Sequence, residues 1–160
     1  MREANKDTAL TISVLLIILS FFNIHEYGIK EDCTIIDRLV YPFFHANPFH
    51  ALINIYVYLG MVFLFGSSML DMVIAYIICV CVPPTMLNTT TTIGLSGLVY
   101  ALIGMNTFKA CNPLRYTISV IIPLAFTSML PLIAFGVHAW CYVIGVLYSI
   151  IILCVKKYKI

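Results

Sequence analysis

Apolar stretches alternate along the chain with breaks made of charges, prolines, glycines or threonine clusters. Six stretches stand out: about Thr8 to Ile24, Pro48 to Phe65, Leu70 to Val82, Ser96 to Phe108, Thr117 to Phe135 and Val137 to Val155. A membrane-crossing helix takes about 20 apolar residues, so six would use roughly 120 positions and leave short connections. The pattern therefore predicts six crossing helices, with both termini on one side because the number is even. Arg2 and Lys6, ahead of the run Ala9 to Phe22, look like the start of a secretory signal. No small-x-small cleavage site follows that run, and further apolar segments do, so it is read as the first span.

Composition turns this pattern into a class. The 160 residues are 62% apolar and 10% charged, with a mean hydropathy of +1.02. An ordinary soluble domain is about half apolar and roughly a quarter charged, so these few charges could not cover a water-facing surface. The expectation is an all-α polytopic membrane protein: a six-transmembrane-helix bundle occupying 1–160 as a single domain, in contact with the lipid bilayer, with no separate soluble domain. The net charge of +2 and the lack of a long basic run argue against nucleic acid. The six cysteines lie mostly in or beside apolar stretches and form no CxxC pair, so they read as small apolar fillers rather than a disulfide set or a metal site. Neither metal nor cofactor is expected.

Charge also orients the bundle. With sides assigned alternately, Arg2, Lys6, Lys109, Arg115, Lys156, Lys157 and Lys159 share one compartment, against Lys30 and Arg38 on the other. By the positive-inside rule both termini are cytoplasmic. The outer loop His25 to Asn47, with Glu26, Glu31, Asp32 and Asp37, is net negative, in agreement.

The fourth span is too short for its task. Ser96 to Lys109 rises only about 20 Å against a hydrocarbon core of about 30 Å. One end of it must be sunk in the membrane, below the polar segment Asn88-Thr-Thr-Thr-Thr-Ile-Gly94. Irregular backbone at that depth has to line protein or water, which predicts a wet pocket opening to the outer side. Asn88-Thr-Thr90 is also formally a glycosylation sequon.

Polar side chains inside spans are costly and therefore candidates for function. They are His50 and Asn54 on span two, Ser96 on span four and His138 on span six. Counted at 1.5 Å per residue from the inner end of its helix, His50, Ser96 and His138 lie at about 24–27 Å, so three helices place them in one layer. Ser96 and Tyr100 are i, i+4 neighbours beside Gly97 and Gly104, and span six shows the small-residue stripe Ala134, His138, Cys141, Gly145 and Ser149. Packing these faces together would bring His138 to Ser96 as base to nucleophile. A single serine in a membrane helix is ordinarily back-bonded or packed, and a single histidine or asparagine is often interhelical glue. Four polar groups at one depth are less easily explained that way.

These residues also resemble a known family. His45-Ala-Asn-Pro-Phe-His50-Ala-Leu-Ile-Asn54 fits the HxxxxHxxxN of rhomboid intramembrane serine proteases, and Gly94-Leu-Ser96-Gly97-Leu-Val-Tyr100-Ala-Leu fits their GxSGxxYxL. His138 falls in the sixth span, and Arg38 to His45 resembles the family's approach to its second span. The resemblance implies a Ser96–His138 dyad without an acid, acting on transmembrane protein substrates. It further implies oxyanion donors at His50, Asn54 and the Ser96 N–H, a supporting Tyr100 against the imidazole, and a structural His45. It places a substrate gate between spans two and five, where Pro123 and Pro131 would weaken the latter and where Val57 and Phe63 are candidates to face it.

The chain departs from the family pattern at three places. Cys141 stands where the first glycine of HxxGxxxG is usual, no acid occurs in Leu64 to Ser68, and Asp37 precedes Arg38 where a tryptophan is common. A client-binding protein without catalysis would be expected to have lost Ser96 or His138. A small transporter or metal permease would call for intramembrane acids or more ligands than His45, His50 and His138.

Overall fold

The computed structural model describes residues 2–22, 28–87, 89–129 and 134–158. The described residues are all-helical, with no strand beyond one isolated pairing of Ile29 with Thr92. Seven α-helices are described: α1 (Arg2–Leu19), α2 (Ile35–Val40), α3 (Pro48–Phe63), α4 (Met69–Val80), α5 (Ser96–Met105), α6 (Pro113–Thr127) and α7 (Phe135–Tyr158). Short 3-10 turns at Tyr41–Phe43, Pro84–Met86 and Thr107–Lys109 complete the connections.

Local chemistry sets where these helices begin. The Asn47 side chain accepts from the His50 N–H, and Pro48 occupies the first turn of α3. Asn112 and Pro113 repeat that arrangement at α6. Ser68 and Asp71 form a reciprocal capping box at α4. Each satisfies an N–H that a helix start leaves unpaired. Thr34 and Asp37 form a second capping box, which starts α2 inside what the sequence reads as outer loop. Asp37 accepts hydrogen bonds from both the hydroxyl and the N–H of Thr34, which lowers its carboxyl pKa.

The expected apolar segments coincide with α1 and α3–α7, with shifted ends. α1 starts at Arg2 because its first turns are polar helix, closed by the Lys6–Glu3 ion pair at 3.0 Å; its expected end at Ile24 lies outside the described residues. α6 stops at Thr127, eight residues before the expected Phe135, which opens α7 instead.

Helix length agrees with the all-α class but does not support the expected six crossings. Among the described helices, α7 alone is long and apolar enough to cross a membrane by itself. Helices α3, α4, α5 and α6 are apolar but run 16, 12, 10 and 15 residues. α1 carries Arg2, Glu3, Lys6 and Asp7 at its start.

The core is built around α5, which packs most extensively on α7 and then on α4 and α3. A methyl on Gly104 would overlap the carbonyl of Tyr142, and one on Gly145 would overlap the carbonyl of Ala101. Glycine at both points lets the two backbones touch. Seven of the ten residues of α5 are buried (Gly97, Leu98, Val99, Ala101, Leu102, Gly104 and Met105). Ser96, Tyr100 and Ile103 are only half-buried, and their spacing of four and three residues puts them on one face.

Candidate active site

Ser96 is the first residue of α5, so its placement depends on the loop ahead of it. That loop is held from outside by the segment 38–45. The Arg38 guanidinium donates to the Val82 carbonyl, and the Tyr41 hydroxyl donates to the Cys79 carbonyl at 3.0 Å. The Gly94 N–H reaches the Tyr41 carbonyl at 3.0 Å, and the Leu95 N–H donates to His45 Nε2 at 3.2 Å. Further out, Ile29 and Thr92 exchange two backbone bonds of 2.9 Å. Gly94 sits at φ +129°, a conformation that side chains other than glycine's rarely adopt. The chain thereby turns sharply and delivers Ser96 into a cavity.

Opposite Ser96 stands His138, four residues into α7. Its Nε2 lies 2.8 Å from Ser96 Oγ. The Tyr100 ring stacks on the imidazole with centroids 4.6 Å apart and planes at 23°. His138 Nδ1 is buried and meets no hydrogen-bond partner among the described residues. Acceptance from the serine at Nε2 requires the proton on Nδ1, so the face of Tyr100 and the packing of α7, rather than a carboxylate, orient the ring.

His50 and Asn54 converge on the turn from the other wall. A methyl at Gly94 would lie 2.9 Å from His50 Cε1, 3.3 Å from His50 Nε2 and 3.6 Å from Asn54 Nδ2. Asn54 Nδ2 is buried and without a partner among the described residues, so it is a donor with capacity to spare. These groups line one cavity of about 480 Å³ together with Ser96, Tyr100 and His138. The rest of its wall is mainly apolar, with Ile53 and Val57 of α3 and Val99 and Ile103 of α5.

Five of the eight sequence candidates line this cavity, and the other three shape its wall from behind. Ser96, His138, Tyr100, His50 and Asn54 line it. Gly94 provides the turn, and His45 lies behind it, with its ring edge-on to His50 at 5.3 Å. His45 stands outside any helix, and burial, aided by the nearby His50, holds its imidazole pKa well below the ordinary range. It is therefore the neutral acceptor that Leu95 needs. Gly97 faces away from the cavity: a methyl there would meet Cys79 Sγ at 2.8 Å, Tyr41 Oη at 3.2 Å and Val137 Cγ1 at 3.3 Å. It allows α4 and α7 to close behind the serine. Cys141 is wholly buried, and the close approach of α5 and α7 is kept one turn further on, at Gly145.

Two expectations shift. Val57 faces the cavity, but the ring of Phe63 carries the Lys6 ammonium 5.6 Å above it, which places it on the α1 side. Pro123 is inside α6, whereas Pro131, Lys159, His25, Glu26 and the sequon residue Asn88 lie outside the described residues. Sequence reading missed Tyr41 as a brace and Thr127 of α6 as a cavity wall. Among the described residues, no group of three or more His, Cys, Asp or Glu side chains could hold a metal ion.

Comparison of the chain with protein-family models, with curated proteins and with solved structures finds no match. Chemically, the cavity holds a hydroxyl in contact with an imidazole, with a second imidazole and a carboxamide beside a helix N-terminus. These are the kinds of group that acyl transfer uses.

Proposed function

We infer that the chain is an intramembrane serine endopeptidase of the rhomboid type, acting on transmembrane protein substrates. The observation that carries this reading is the 2.8 Å contact of Ser96 Oγ with His138 Nε2 inside a cavity also lined by His50 and Asn54. Ser96 attacks the scissile carbonyl while His138 takes its proton, which the imidazole then returns to the leaving amine. Water hydrolyses the acyl-enzyme by the reverse proton path. The developing oxyanion is met by His50, Asn54 and the Ser96 N–H, the last favoured by the positive end of α5.

The membrane setting belongs to the same proposal. The bundle has six crossings formed by α1 and α3–α7, α5 being the short and sunken fourth, with α2 on the outer rim. Large apolar side chains are exposed on every one of the crossing helices except α5, among them Leu15, Leu52, Leu70, Ile122 and Ile151. Such a surface suits hydrocarbon rather than water, and short helices can be served by local thinning of the bilayer. Both termini are cytoplasmic and the cavity opens to the extracytoplasmic side. Its wall of α3 and α6 is the route by which a substrate helix reaches Ser96 from the lipid.

The test is cleavage of a model transmembrane substrate in proteoliposomes. His138→Ala should lower cleavage by at least the 10²–10⁴-fold typical of losing a positioned acid–base group, and Ser96→Ala, which removes the nucleophile, by no less. Persistent cleavage by either variant, free of contaminating protease, would remove the dyad assignment.

A further inference from the structure

Between α6 and α7 lies a separate cleft of about 350 Å³, which shares no lining residue with the cavity of Ser96. It exists because α6 packs thinly: Leu124 is the one buried residue of that helix. The wall of the cleft is apolar, with Leu114 of α6 and Val143, Val146 and Leu147 of α7. Leu114, Val143 and Leu147 are exposed, so the cleft opens at the outer surface of the bundle. A volume above about 300 Å³ and an apolar lining with a few polar groups are ordinary attributes of a small-ligand site.

Three hydroxyls interrupt this wall: those of Thr107, Thr117 and Tyr142. Thr107 donates to the Ile103 carbonyl one turn back, at 3.5 Å. Tyr142 is different. It is 5% exposed, and among the described residues its buried hydroxyl meets no hydrogen-bond partner. A buried tyrosine hydroxyl ordinarily finds an acceptor, and the apolar side chains of the cleft offer none. The acceptor is therefore to be sought in what fills the cleft. Its height says what that is. Thr107 opens the turn after α5, and Leu114 lies in the first turn of α6. Lys109 and Arg115 stand beside them in the chain, Lys109 reaching Asp71 at 3.7 Å. In the membrane setting proposed above, the level at which charges begin is the inner boundary of the hydrocarbon, where the chains of a lipid give way to its polar groups. A phospholipid presents there an alkyl chain headed by an ester carbonyl, which accepts a hydrogen bond and cannot donate one.

We propose that this cleft binds one glycerophospholipid of the cytoplasmic leaflet, with an acyl chain between α6 and α7 and an ester carbonyl accepting from the Tyr142 hydroxyl. This rests on the membrane reading and is independent of the dyad. The bound chain supplies apolar contact that α6 lacks, as a fixed part of the bundle rather than as bulk solvent. The hydrogen bond makes the site selective. A lipid whose chains are joined by ether links fills the cleft as well but has no carbonyl for Tyr142.

The test uses Trp140, the chain's one tryptophan, which lies three residues before Val143 on α7. The full chain in detergent micelles is titrated with a phosphatidylcholine brominated on its chains, in diacyl or dialkyl form, and the fluorescence of Trp140 is read. Quenching by the diacyl lipid should saturate, and the dialkyl lipid should need about five times the concentration, the factor one neutral hydrogen bond supplies. In Tyr142→Phe the two lipids should become equivalent, both at the weaker value. In Val146→Phe, whose ring fills the cleft, saturation should vanish while the melting temperature shows the bundle intact; should that variant fail to fold, the Tyr142→Phe comparison decides alone. A diacyl preference that persists in Tyr142→Phe, or saturation unchanged by Val146→Phe, would overturn the site. So would an oligomer that dissociates in Val146→Phe, which would put a second copy of the chain in the cleft. If alkaline carbonate releases the unaltered protein from membranes, the membrane reading fails; if the protein stays in the membrane and quenching does not saturate, the lipid site alone fails.

Discussion

At the scale of single residues, the site depends on a few side chains that hold backbone rather than on those that do chemistry. Gly94 is one, because any β-carbon there is strained at φ +129° and collides with His50. Gly94→Ala should cost about 1–3 kcal/mol in stability, readable as a lower melting temperature in detergent, and should lower cleavage further by displacing His50. His45 is another. It must stay neutral to accept from Leu95, and its pKa is depressed below the ordinary 6.5 by burial, with a smaller contribution from His50. The unfolded chain therefore binds a proton that the folded chain refuses, so this contribution to stability is complete above about pH 6.5 and is lost as pH falls below it. Melting temperature should fall more steeply on acidification in the unaltered protein than in His45→Gln; equal slopes would contradict the assignment. The contact of Ser96 with His138 was legible in the sequence because helical spacing and depth suggest it: Ser96 with Tyr100 on one helix, His138 at the same height on another. The bond from Leu95 to His45 was not, since it joins residues 50 apart through a loop with no periodicity.

At the scale of elements, the same division holds between what is local and what is not. The start of α3 at Pro48 was read correctly and that of α4 to within one residue, but α6 begins at Pro113, four residues ahead of the expected Thr117, behind an Asn112 cap that an apolar pattern does not show. The capping box of Thr34 and Asp37 was also present in the sequence, but α2 has only six residues and no apolar period to draw attention to it. The stop of α6 at Thr127 was hidden, because apolar residues continue past it into α7. Its loose packing makes α6 the wall expected to move. Bridging Ile53→Cys on α3 to Thr127→Cys on α6 with a bismaleimide, across the cavity that both line, should reduce transmembrane-substrate cleavage at least tenfold while sparing Ser96 labelling by a small reagent. Equal loss of both would point to damage at the dyad instead.

At the scale of the whole molecule, the excess of apolar surface is the feature to explain. Composition made it visible at once, but the number of crossings could not be read from helix length, since α7 alone is long enough by itself. The reading of six crossings rests on the six apolar stretches and its orientation on the distribution of charge, and sidedness tests both directly. Cys33 lies in the connection before α2 and Cys111 in the connection between α5 and α6. In sealed, right-side-out vesicles an impermeant maleimide should label Cys33 and leave Cys111 unmodified until the membrane is opened. Labelling of both from one side would contradict the topology. The central claim, a serine made nucleophilic by a histidine on another helix, has a more direct test in the intact mass of the protein after reaction with a fluorophosphonate. The account predicts one adduct, mapped to Ser96, that vanishes in Ser96→Ala and forms at least a hundredfold more slowly in His138→Ala. An adduct on another residue, or one formed at an unchanged rate without His138, would contradict it.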